Sequence, residues 1–227
     1  MGIISIEKAD HLYWLGRYAE RVLTTLREFF KVYDAMIDRE DANVPYGEYC
    51  ERLSIPNIYT SDRDFVKRYL FDEKNPDSLI ANMNRAYDNA VVLRDELSSM
   101  VLSYIQLALD VIKSSEQTDS PLFHLQPVID DIFAFWGCAD DFVVDEECRN
   151  IMKSGKYVER LDLYLRLEHP RAELEKELSK LTNRLSKIKI PVNQKKLKRV
   201  QEILGEEDWR RHYFEALDCL RGIVEVY

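Results

Sequence analysis

Two short segments of this chain hold residue types from which a charged site could be built. Leu12-Tyr-Trp-Leu-Gly16-Arg17-Tyr18-Ala-Glu20-Arg21-Val22 recurs as Ile151-Met-Lys-Ser-Gly155-Lys156-Tyr157-Val-Glu159-Arg160-Leu161, at a constant offset of 139 residues. Gly, Tyr, Glu and Arg are identical in the two copies. A carboxylate and a guanidinium at fixed positions can grip a ligand, do acid–base work, or lock two elements together as a buried ion pair. On a helix, neighbours such as Glu20 and Arg21 diverge by about 100° around the axis. They are poorly placed to pair with each other. The simplest arrangement is reciprocal: Glu20 with Arg160 and Glu159 with Arg21, around a pseudo-twofold axis. Gly inside a helix costs about 1 kcal/mol against Ala. Two at equivalent positions therefore point to another backbone or a ligand coming very close. The lock and the ligand grip both demand partners for all four charges, because unpaired buried charge is costly.

The elements that must position these residues read as helices throughout. The chain has 227 residues, 46% apolar, with only seven Gly and seven Pro. Apolar residues from Leu12 to Ile37 recur at a 3-4-3-4 spacing, one face of a helix. That helix begins near Ser5 or Asp10 and stops before Pro45. A loop is expected over 41–62, then a short helix from Asp62 to Phe71. No Gly or Pro interrupts the apolar stripe from Leu79 to Ile112. Ser120-Pro121 starts a helix that halts around Gly137. Further helices are expected over 145–167, 171–188, 193–204 and 206–226. No period-2 strand pattern appears. The expectation is one all-α domain over 1–227: a single-domain bundle of long helices, with a core over 1–168 and charged C-terminal helices over 169–227 packed on it.

Other constellations are weaker. Cys50, Cys138, Cys148 and Cys219 have neither zinc-finger nor disulfide-framework spacing, which reads as reduced thiols and a cytoplasmic setting. No signal peptide is visible, nor any run of about 18 apolar residues, so no membrane span is expected. The net charge of -9 argues against general nucleic-acid binding. No histidine follows a Glu by three residues, as a di-iron bundle needs. Glu7/His11 and Asp208/His212 sit at i,i+4, where surface pairing is the simpler reading than a shared metal. No cofactor or metal is expected. The acidic run Asp140, Asp141, Asp145, Glu146 and Glu147 suits a helix start. Lys187, Lys189, Lys195, Lys196, Lys198 and Arg199 read as a solvated basic face or as a patch for an acidic partner.

The first motif, Leu12 to Arg21, resembles the N-terminal signature of the bacterial alpha-E family, an all-α family of unknown function. Gly155 to Arg160 resembles its second motif. Between them, Ala86-Tyr87-Asp88-Asn89-Ala90-Val91-Val92-Leu93-Arg94 fits the family's Ala-Arg-Glu-Asn-Ala-Arg-x-x-Arg frame. Asn89 and Arg94 match, while Tyr87 and Val91 stand in place of two arginines. The resemblance covers about Ile4 to Leu167. It implies association with ATP-grasp ligases and transglutaminase-like proteins, hence amide-bond formation or peptide modification. Two functions follow. One is an accessory or binding protein that works with an ATP-grasp-type ligase or a peptide. The alternative is an enzyme in its own right, acting on a peptide or amino-acid substrate through an open Glu/Arg cluster. Candidate binding residues are Arg17, Tyr18, Glu20, Arg21, Asn89, Arg94, Glu159 and Arg160.

Overall fold

Helix α1 runs Ile6–Ile37, and the Ser5 side chain caps it by accepting from the Lys8 N–H. The computed structural model describes residues 4–38, 45–118 and 121–225. The apolar stripe of α1 is buried from Leu12 to Phe29, as its spacing requires. The expected loop over 41–62 instead contains a helix, α2, at Pro45–Leu53. Pro45 is its first helical residue, where a missing N–H costs nothing. The short helix α3, Asp62–Phe71, has the expected bounds and is capped by Ser61.

The long stripe from Leu79 to Ile112 is not one helix. It divides into α4, Leu79–Val92, and α5, Ser99–Ser115. Leu93 and Leu97 both turn inward at the break. Ser98 then caps α5 by accepting from the Val101 N–H. Helix α6, Pro121–Phe142, passes straight through Gly137 rather than halting there. Ser120, read as the cap of that helix, lies outside the described residues. Helix α7 runs Glu146–Arg166, with Asp145 accepting from the Cys148 N–H at its start. Helices α8, Arg171–Leu185, and α9, Gln194–Gly205, follow. The expected final helix over 206–226 is shorter: a 3-10 turn at Trp209–His212 leads into α10, Tyr213–Arg221.

The centre of the molecule is the pair α1 and α7. Helix α4 lies on α1, α5 pairs with α6, and α8 and α10 lie on α7. The segment after α10 returns to the α8–α9 connection through an antiparallel bridge, Val192 to Val224. No helix among the described residues is long and apolar enough to cross a membrane.

Candidate functional site

Helices α1 and α7 touch backbone to backbone, and the two glycines allow it. A Cβ on Gly16 would lie 1.9 Å from the carbonyl oxygen of Met152, and one on Gly155 would lie 2.0 Å from that of Tyr13. Tyr13 and Met152 are themselves related by the 139-residue offset. The contact is therefore reciprocal, and the repeat is a pseudo-twofold crossing. No side chain fits at either position without moving a backbone.

The charges follow the same axis. Arg160 donates from Nε to Glu20 Oε1 at 2.7 Å and from Nη2 to Oε2 at 2.9 Å, a bidentate grip. Thr24 adds a hydroxyl to Glu20 at 3.0 Å. Across the axis Arg21 donates from Nε to Glu159 Oε1 at 2.5 Å. Arg17 donates from Nε to Glu159 Oε2 at 2.7 Å. The reciprocal pairing expected from helix geometry is present in both directions. Burial alone would raise the carboxyl of fully buried Glu159, but Arg17 and Arg21 outweigh it and bring it down to about 2. Such a group is held ionised and has its oxygens occupied. It neither carries a proton to give at neutral pH nor readily takes one.

The two halves differ in their surroundings. Arg160 has a second carboxylate, Glu177 of α8, at 3.3 Å. Arg21, its counterpart, has no second carboxylate within ion-pair distance among the described residues; it lines a cavity of about 220 Å³ instead, with Asp162 acting on it from further off. Arg17, Arg166 and Arg221 line the same cavity, with Asp77, Asp162, Thr25, Tyr69 and Asn82. A neighbouring groove shares Arg17, Arg21, Asp77 and Arg221 and adds Tyr13, Trp14, Tyr18 and Arg85. Arg17 and Lys156 also differ. Where Arg17 joins Glu159, Lys156 lies 4.0 Å from the centre of the Trp136 ring. Burial pushes the Lys156 amine down to about 8.

Six of the eight residues singled out from the sequence gather at the crossing. Five form the two ion clusters. The sixth, Tyr18, stacks on Trp14 at 5.4 Å beside the Arg85 guanidinium. The other two do not join them. Asn89 accepts through its Oδ1 from His11 Nδ1 at 2.8 Å. The Arg94 side chain is 73% exposed, with Asp95 at 3.9 Å its one ion-pair partner among the described residues. Thus His11 pairs with Asn89 and not with Glu7, while His212 faces Glu206 and Glu215. Among the described residues no three His, Cys, Asp or Glu side chains gather closely enough to hold a metal ion. The acidic run serves structure: Asp145 caps α7, Asp140 takes Lys153, and Glu147 accepts from the Lys189 N–H. In the basic segment Lys196 pairs with Asp218 and Arg199 with Glu215.

Glu177, Arg166 and Arg221 were not legible as site residues. Asp162 and Arg166 carried one usable signal, an i,i+4 spacing one turn beyond the second motif. Glu177 and Arg221 carried none, because each is delivered by a different helix.

No curated protein and no solved structure matches the chain. A family model does match, over residues 7–188, and its description is a predicted alpha-helical domain with a conserved ER motif. The two Glu-Arg pairs at the α1–α7 crossing lie within that span, and the chain belongs to the Alpha-E family.

Proposed function

We propose that this chain is an accessory or binding protein of a peptide- or amide-bond-modification system, working beside an ATP-grasp-type ligase. The observation that carries the binding reading is the saturation of the glutamates of both motifs. Glu20 and Glu159 spend their oxygens on Arg160, Arg17 and Arg21. General acid–base catalysis needs a carboxyl poised near the working pH. Glu159 is shifted in the opposite direction, away from neutrality. The enzymatic alternative called for an open cluster that also included Asn89 and Arg94, and those two lie elsewhere. The ligase itself enters through the family resemblance. Four free thiols fit a reducing, cytoplasmic setting.

The test is co-expression of the chain with an ATP-grasp-type ligase, followed by purification and an amide-bond-formation assay. The proposal expects a stable complex whose ligation depends on the chain and survives Glu20→Gln. Amide turnover by the isolated chain, abolished by Glu20→Gln in a variant that stays folded, would overturn it.

A further inference from the structure

The pseudo-twofold relation states what chemistry belongs beside Arg21. On one side of the axis, Arg160 satisfies Glu20 with two nitrogens and turns its third, Nη1, to the Glu177 carboxylate. On the other side, Arg21 satisfies Glu159 through Nε. Its two terminal nitrogens meet no hydrogen-bond or ion-pair partner among the described residues. No acidic residue arrives from α8 to match Glu177. The cavity lies there instead.

Three further observations converge on this space and the groove beside it. Arg221, at the end of α10, also lines it and has no hydrogen-bond or ion-pair partner among the described residues. The side chain of Arg166 is nearly buried, with Nε on Asp162 and Nη1 on Ser54, which leaves Nη2 unspent. The Tyr13 hydroxyl, buried in the adjoining groove, reaches hydrogen-bond geometry with no described residue. Four guanidiniums thus face two carboxylates around the cavity, in a chain whose net charge is -9. The unspent N–H of buried Arg166 is costly to leave without an acceptor, whereas Arg21 is half-buried and Arg221 exposed, so theirs face the accessible side of the cavity.

We propose that this cavity binds the oxyanion of a small molecule, which takes the position that Glu177 occupies beside Arg160. The internal copy points to a carboxylate; a phosphate offers the same acceptors to the same guanidinium edges. The volume of about 220 Å³ lies below the range of drug-sized pockets, so the buried part of the ligand is small. The rest of the molecule would extend into the groove of Trp14, Tyr18 and Arg85. The inference does not need the ligase reading, and its test contains no ligase.

Titration calorimetry on the full chain, with succinate and separately with inorganic phosphate against chloride at matched ionic strength, reads the site directly. Arg21→Gln is a poor probe, since it strips Glu159 of a partner. Arg221→Gln breaks no ion pair among the described residues and serves instead. The expected result is saturable one-site binding of at least one of the two anions, weakened about tenfold or more by Arg221→Gln. Whichever anion binds more tightly identifies the group as carboxylate or phosphoryl. No saturable binding of either anion at millimolar concentration, or binding that Arg221→Gln leaves unchanged, would overturn the proposal.

Discussion

At the scale of single residues, the two glutamates of the repeat are unequal. Glu159 is fully buried and answers two arginines, which have no other carboxylate this close in the cluster. Removing its charge leaves Arg17 and Arg21 uncompensated. Glu159→Gln is therefore expected to cost about 3–5 kcal/mol in urea unfolding. Glu20→Gln should cost less, about 1–3 kcal/mol, because Arg160 keeps Glu177. Equal losses would contradict this ranking. The pH dependence follows from the same geometry. The Glu159 carboxyl lies at about 2 in the folded chain against an ordinary 4.5, so its folded pKa is depressed. Its contribution to stability is complete above the ordinary value and is lost as pH falls from about 4.5 toward about 2. Carbon-13 NMR of the Glu159 carboxyl should show no titration until the lower end of that window. A midpoint near the ordinary glutamate value would show that the pairing is absent in solution.

At the scale of elements, the glycines separate two meanings of one residue type. Gly→Ala in a helix ordinarily adds about 1 kcal/mol of stability. At Gly137 an added Cβ meets nothing within 4 Å. Gly137→Ala should therefore stabilise the chain by about 0.5–1 kcal/mol. At Gly16 the added Cβ would sit 1.9 Å from the Met152 carbonyl oxygen. There the sign should reverse, with a net loss of about 2 kcal/mol or more and a melting temperature lower by several degrees. Thermal unfolding of the two variants checks both signs. Sequence periodicity located most helices because each buries one apolar face. It misread Gly137 as a stop, since an isolated open glycine and a C-terminal one look alike in a single sequence. It also ran α4 into α5. The break there uses no Gly or Pro, only the Ser98 cap and the inward turn of Leu93 and Leu97.

At the scale of the whole molecule, the crossing ties together two helices that begin 140 residues apart, Ile6 and Glu146, and most of the other helices lie against one or both of them. The pairing of Glu20 with Arg160 and Glu159 with Arg21 could be read in advance because it depends only on helix geometry and the repeat. The asymmetry around it could not. Glu177 from α8 and Arg221 from α10 reach the two sides through tertiary packing, and no local spacing records that. The same limit hid the cavity, whose walls come from α1, α2, α3, α4, α7, α10 and the loops beside them. The two motifs form one interlock across the axis rather than two independent sites. A double-mutant cycle of Glu20→Gln and Arg160→Met, read by urea unfolding, tests it most directly. A coupling energy of about 2 kcal/mol or more is expected; single-variant losses that simply add, to within about 0.5 kcal/mol, would mean two independent sites.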